Sequence, residues 1–341
     1  MWTLASGANG VLLTAAQAAV LATTIYVAVY HAEVVAHRVG EPFGTLVLAL
    51  TVTVIETALI VSVMLDNEVN ASTLARDTVF AVVMIILNGL VGLCLLVGGV
   101  RHRKQDFQAQ GASSALSVLT TIFILFLVLP NFTSSATGPM FTDAQLAFAG
   151  TVSLVLYCVF VLVQTVRHRD FFLPGADARE NEDAHAPPPT INTSLLSAAL
   201  LLASLFAAVG LTKVLTPTLY ASMVRLEAPV AIVGIVIAML VLLPEGRAAV
   251  QAARANRLQT SLNLALGSAL ASIGLTIPAV ATAAIVLGQP LALGLGPKEM
   301  VLLAATLLIS VLTLGTGRTT VLQGAIHLVI LALFLFLAAA P

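Results

Sequence analysis

The stretch Gly44–Leu65, GTLVLALTVTVIETALIVSVML, decides the fold. It is long enough to span a bilayer, for which about 20 apolar residues suffice. It is otherwise apolar but carries Glu56 past its middle, two turns or more from the polar boundary at Asp66. A charge at such depth costs roughly 2.5–3.5 kcal/mol on insertion scales, so carboxylates there mark ion or proton paths by default. The alternative is an acid paired with a neighbouring helix for packing alone. A second such glutamate, Glu245, sits in VIAMLVLLPEGRAAV.

Apolar residues make up 59% of the 341-residue chain and charged ones 9%, against about 25% charged in a soluble domain. The chain is read as an integral membrane protein rather than a soluble enzyme with an anchor. The net charge of −1 selects no partner, and no basic stripe points to nucleic acid. Cys94 and Cys158 fall in apolar segments and read as small core residues, with no disulfide or metal framework. The first segment lacks a basic start and runs on as a spanning helix, so no cleavable signal peptide is expected.

Apolar runs predict ten helices, near residues 11–33, 43–65, 77–99, 114–132, 144–166, 194–214, 229–251, 260–288, 298–315 and 320–340. The connections after the odd-numbered helices hold Arg38; Arg101, Arg103 and Lys104; Arg167, Arg169 and Arg179; Arg247, Arg254 and Arg257; and Arg318. The opposite side holds Arg76, Lys213, Arg225 and Lys298. This bias places the first side in the cytoplasm and both termini outside. The longest polar break, Arg167–Thr193, carries Asp170, Asp177, Glu180, Glu182 and Asp183, then Pro187-Pro188-Pro189. Few apolar residues follow Leu173 there, so residues 167–193 read as a flexible cytoplasmic linker, solvated rather than calcium-sensing.

The linker leaves five helices on either side. An odd number per half sends the second half into the membrane from the opposite face, the arithmetic of an inverted repeat. The expected fold is therefore all-α and polytopic, with residues 1–166 and 194–341 as two inverted five-helix repeats. Each half puts its glutamate on its second helix, after a Glu and a Pro: Glu41-Pro42 in one, Glu227-Ala228-Pro229 in the other. Each third helix is long and rich in small residues.

Equivalent positions of such repeats meet near the midplane around a pseudo-two-fold axis, so Glu56 and Glu245 are expected to face one another and to form the metal-binding pair. Two carboxylates in one dry site cannot both stay ionised without a cation. A bound Ca2+ satisfies them, since it takes several oxygen ligands and favours carboxylates. Cation and protons should thus compete for one pair of groups, which is antiport; one Ca2+ for two protons would be electroneutral. Pro244 removes an amide from the helix ladder just before Glu245. Pro244-Glu245-Gly246 reads either as a break whose freed carbonyls line a cavity or as an ordinary proline kink.

Neutral oxygens come from Asn88 in VMIILNGLVGL and from Ser268 and Ser272 in NLALGSALASIGLTIP. Asn88 is a ligand, a proton-path residue or an interhelical hydrogen bond; the two serines are site residues or close-packing residues. Asn263 suits a cap or boundary, and Asp77 a helix-start cap. His31 and His37 flank the boundary after the first helix, and His327 reads as a hydrogen-bonded structural histidine. The run Gly315–Thr320, GTGRTT, lacks the Gly-Lys-Ser/Thr ending of a phosphate cradle and reads as a turn.

Three stretches carry a family resemblance: HAEVVAHRVGEPFGTLVLALTVTVIE, VLLPEGRAAVQAARANRLQTSLNLALGSALASIGLTIP and GTGRTTVLQGAIHL. They resemble the bacterial ChaA-type calcium/sodium/potassium–proton antiporters, of the Ca2+/cation antiporter superfamily that includes the CAX exchangers. The resemblance runs from about Ala16 to the end. It implies a sodium/calcium exchanger-like fold, a Ca2+/H+ or Na+/H+ exchanger of the bacterial inner membrane, alternating access, and alpha motifs near 40–98 and 227–288. The acids that bind the cation would be Glu56 and Glu245, the latter preceding Gly267-Ser268 at the spacing of CAX exchangers. CAX repeats usually read Gly-Asn-Ala-x-Glu; here Thr-Val-Ile-Glu and Leu-Leu-Pro-Glu stand instead, which leaves Na+ and K+ beside Ca2+ as cargo. Relatives carry an extra N-terminal helix that this chain is expected to lack.

The expected protein is a ten-helix secondary antiporter with no cofactor beyond the transported Ca2+, Na+ or K+ and H+, its partners being those ions and the lipid bilayer. Helices two, three, seven and eight would form the site. The others would form a moving bundle and a surface for a scaffold or a homo-oligomer. A cation channel with a midplane carboxylate is the rival class. An intramembrane enzyme would need paired aspartates or a His-rich metal site, and no aspartate lies well inside a helix.

Overall fold

The computed structural model describes residues 2–40, 43–65, 71–173, 189–225 and 231–340. The Glu41-Pro42 and Glu227-Ala228-Pro229 pair, Asp66, and the linker residues Asp177, Arg179, Glu180, Glu182, Asp183 and Pro187-Pro188 lie outside the described residues. Within them, ten helices of 18 residues or more follow one another. In the first half these are α1 (Trp2–Val39), α2 (Phe43–Met64), α3 (Leu74–His102), α4 (Ala109–Phe132) and α5 (Asp143–Arg167). In the second half they are α6 (Ile191–Arg225), α7 (Ala231–Arg254), α8 (Leu258–Leu287), α9 (Pro297–Leu314) and α10 (Val321–Ala339). Among the described residues, eight are long and apolar enough to cross a membrane. The other two, α2 and α7, carry the glutamates. Their 22 and 24 residues also reach across about 30 Å of hydrocarbon at 1.5 Å per residue.

The centre of the bundle is α3 and α8, the two helices buried along most of their length. Each contains a π-helical turn, Ile85–Leu90 in α3 and Ser272–Thr276 in α8, a feature frequent at functional sites. The other helices are arranged about them in matched pairs: α7 packs on α3 and α2 on α8; α10 packs on α3 and α5 on α8; α1 packs along α6. Exchanging the halves maps each pairing onto its counterpart.

The connections repeat this relation. Two short antiparallel strands, β1 (Gln105–Asp106) and β2 (Arg318–Thr319), join the α3–α4 connection to the α9–α10 connection. A bridge between Met140 and Ala292 joins α4–α5 to α8–α9. The fifth helix of each half starts alike: Gln145 Oε1 accepts from Thr142 N at 3.0 Å, and Gln323 Oε1 from Thr320 N at 2.9 Å, satisfying an amide that the first turn leaves unpaired. Glycine lets the outer helices close on the central ones. A Cβ at Gly324 of α10 would collide with the backbone of Leu96 in α3, and one at Gly274 of α8 would lie 3.0 Å from Tyr157 of α5. Small residues at such contacts are how membrane helices approach when lipid supplies no hydrophobic drive.

Two apolar clusters result. The main one surrounds α3 and α8. A second joins Leu21, Ile25 and Ala28 of α1, Val52 and Ile55 of α2, and Leu201 and Ala208 of α6. Exposed side chains such as Phe148, Phe206, Val286 and Phe336 cover the perimeter, as an apolar solvent permits. This corrects one expectation: Cys94 is buried in α3, but Cys158 is exposed on α5 and belongs to no core. Helix α7 is continuous through Pro244-Glu245-Gly246, so the backbone does not unwind there and frees no stretch of carbonyls.

Candidate functional site: two carboxylates on one hydroxyl stripe

Glu56 of α2 is 1% exposed. Its Oε2 accepts a hydrogen bond from Thr276 Oγ1 of α8 at 2.8 Å, and Ser272 lies beside the same carboxylate. Glu245 of α7 accepts from Ser268 Oγ, also of α8, and stands close enough to Glu56 for their charges to interact. The carboxylates thus come from opposite halves, but one helix holds both. Ser268, Ser272 and Thr276 recur every four residues and so share one face of α8.

Two oxygens in this group are left over. Among the described residues, Glu56 Oε1 and Ser272 Oγ are buried without a hydrogen-bond partner. Buried polar atoms are nearly always paired, and an unpaired one costs about 1–3 kcal/mol. A closer approach of the Ser272 hydroxyl to the carboxylate, a proton on Glu56 or a cation between the oxygens would satisfy them. Among the described residues no three His, Cys, Asp or Glu side chains cluster. The donor set is therefore carboxylate and hydroxyl oxygen only, which suits a hard cation such as Ca2+ or an alkali ion rather than a soft transition metal.

The two glutamates differ in access. Glu56 is sealed, whereas Glu245 is partly exposed and lines a cavity of about 130 Å3 with Glu33, Tyr157, Gln164, Asn263 and Ser268.

Asn88 is not brought to this site by any hydrogen bond. Its Nδ2 donates to Thr306 Oγ1 of α9 at 2.9 Å, and its Oδ1 is 3.2 Å from His327 Nδ1 of α10. With the Asn88 amide donating to Thr306, the oxygen accepts and His327 carries its hydrogen on Nδ1. His327 is therefore the hydrogen-bonded, buried histidine expected. Asn263 donates to the Phe172 carbonyl at 2.5 Å and accepts from Gln259 at 2.9 Å, a boundary tether that also lines the cavity. Asp77, in the first turn of α3, pairs with Arg76 at 2.8 Å, and Arg76 in turn donates to the Gly294 carbonyl. His31 packs edge-on against Tyr30. Gly315–Thr320 is the expected turn and contains β2. Two site residues escaped the reading of the sequence. Thr276 completes the series that Ser268 and Ser272 begin; Glu33 stood at the predicted end of the first helix and was not singled out.

With two halves packed alike, each sending a carboxylate to one central helix, the chain belongs to the sodium/calcium exchanger protein family, whose pattern it matches over residues 9–166 and 196–340. It is 38% identical over 308 residues to the sodium-potassium/proton antiporter ChaA of Escherichia coli K12, covering 90% of this chain and 83% of ChaA. It is 51% identical over 336 residues to y4hA of Sinorhizobium fredii, an ionic transporter by name, covering 98% and 90%. Its fold matches that of the H+/Ca2+ exchanger CAX with a TM-score of 0.75 at 13% identity, covering 98% of this chain and 85% of CAX. The chain is thus a multi-pass membrane protein of a cation/proton antiporter family, with the exchanger-like helical fold that its sequence predicts.

Proposed function

We propose that the protein exchanges Ca2+, Na+ or K+ for H+ across the inner membrane by alternating access, with cation and protons competing for Glu56 and Glu245. The observation that carries this reading is the unsatisfied pair Glu56 Oε1 and Ser272 Oγ, beside a second carboxylate and two further hydroxyls. Such a group is completed by one cation or by protons, not by both. The names of ChaA and CAX include proton exchange with sodium, potassium and Ca2+, which sets the range of cargo. The ends of α1, α5 and α7 nearest the cavity carry Arg38, Arg167 and Arg254, so the positive-inside rule makes the cavity cytoplasmic and both termini periplasmic. The helix pair α1–α6 packs in a cluster separate from the main core and can slide against it, whereas α2 also joins the main core through Ile60 and Met64. A sealed Glu56 beside a partly exposed Glu245 fits a state facing one side.

Competition fixes the sign of the pH dependence. Lowering pH loads the carboxylates with protons and raises the half-saturating cation concentration; raising pH lowers it until proton release no longer limits binding. The test uses everted vesicles with a respiration-driven pH gradient and a fluorescent pH dye, to which CaCl2, NaCl and KCl are added separately. Wild type should dissipate the gradient, and Glu56→Gln and Glu245→Gln should each abolish the response in well-expressed protein. A response that survives both substitutions removes the glutamates from the mechanism. Cation flux without proton movement would mark a channel.

A further inference from the structure

We propose that Glu33 is an outer cation site: it captures the cation at the mouth of the cavity and passes it to Glu245. This rests on the exchange reading above and extends it to a third carboxylate. Glu33 belongs to the membrane-spanning segment Ala15–Val39 of α1. It has no ion pair among the described residues. It lines the same cavity as Glu245 and Ser268. Glu33 stands six residues before the end of α1, Gln164 three before the end of α5, and Asn263 five after the start of α8. All three therefore lie toward the Arg-rich ends of their helices, and the cavity runs from that side inward to Glu245. About 130 Å3 holds several waters, so a cation can sit between the two carboxylates with part of its shell intact. Glu33 also belongs to the helix pair α1–α6, whose apolar cluster is separate from the main core. A sliding of that pair would carry the outer carboxylate away from the inner one.

The chemistry recognised is that of a hydrated inorganic cation, mono- or divalent, approaching an exposed carboxylate at the edge of the cavity. Clefts of one sign concentrate counter-ions by tenfold or more, so removing this charge should raise the half-saturating cation concentration roughly tenfold. The experiment measures that concentration in everted vesicles, where the cytoplasmic face is outside, for wild type, Glu33→Gln and Glu33→Asp. Glu33→Gln should raise half-saturation far more than it lowers the saturated rate, and Glu33→Asp should recover most of the loss. Unchanged half-saturation in Glu33→Gln overturns the proposal. So does a fall in saturated rate alone that Glu33→Asp shares, since that marks a packing role. Equilibrium Ca2+ and Na+ binding to purified Glu245→Gln protein decides the matter even where exchange itself fails. A weak saturable site lost on adding Glu33→Gln upholds the outer site, and binding indifferent to Glu33 overturns it.

Discussion

The two central helices, α3 and α8, occupy equivalent places yet do different work. Both are deeply buried, both contain a π turn, and each is flanked by the glutamate-bearing helix of the other half and by one fifth helix. Helix α8 turns three hydroxyls toward the carboxylates. On helix α3 the buried Asn88 is hydrogen-bonded to Thr306 and His327 instead, and makes no hydrogen bond to either carboxylate. The scaffold is two-fold; the chemistry is not. Each half supplies one acid, but a single helix supplies the groups that orient both. A shift of α8 would therefore act on Glu56 and Glu245 together, whereas α3 is anchored to α9 and α10 by its own polar contacts.

The sharpest test of this asymmetry removes the hydroxyls that reach a carboxylate. A hydrogen bond to a charged group is worth about 1.5–3 kcal/mol. Thr276→Val and Ser268→Ala should accordingly weaken apparent cation affinity by roughly 10- to 100-fold, read as half-saturation in the vesicle assay. Ser272→Ala should cost less, about 2- to 10-fold, because its oxygen gives up no existing hydrogen bond and loses only a contact made with the bound cation. Equal effects at all three positions would mean the stripe acts as packing rather than as ligands. On α3, Asn88→Ala should lower thermal stability by an amount equivalent to roughly 1–3 kcal/mol, leaving Thr306 and His327 without their partner. Half-saturation should stay near the wild-type value. A well-folded Asn88→Ala protein that fails to bind cation would put α3 in the ion path and break the comparison. The smallest effect is expected at Asp106→Ala. The pair with Arg318 at 3.0 Å is about three-quarters exposed on both sides, and exposed pairs contribute about 1 kcal/mol or less.

The same contrast separates what could be read in advance from what could not. Glu56 and Glu245 were legible because a charge inside an apolar run stands out against its cost in lipid. Ser268 and Ser272 were legible as oxygens but not as partners of different glutamates, since their spacing also suits close packing. Thr276 belongs to the same series and was passed over, because a hydroxyl in an apolar helix can satisfy itself on its own backbone, as Thr51 does on Val47. Asn88 illustrates the opposite case: a buried amide had to have partners, but nothing local could choose between a carboxylate and the Thr306–His327 pair. Cys158 was misplaced because α5 is apolar on its lipid face as well as its core face, so periodicity is silent about which side is which.

From the sequence alone came the ten helices, their division into five and five, the positive-charge bias of the connections and the two acids within apolar helices. These follow from local rules: apolar length sets a span, and a charge within it is too costly to be incidental. The tertiary structure alone decided that α8 holds both acids, that α3 binds to α9 and α10, that α7 stays helical through Pro244, and that Glu33 shares a cavity with Glu245. Those outcomes depend on which faces of apolar helices meet. In a membrane that choice is made by close packing and by the pairing of polar groups between helices distant in the chain, neither of which leaves a mark on any one segment.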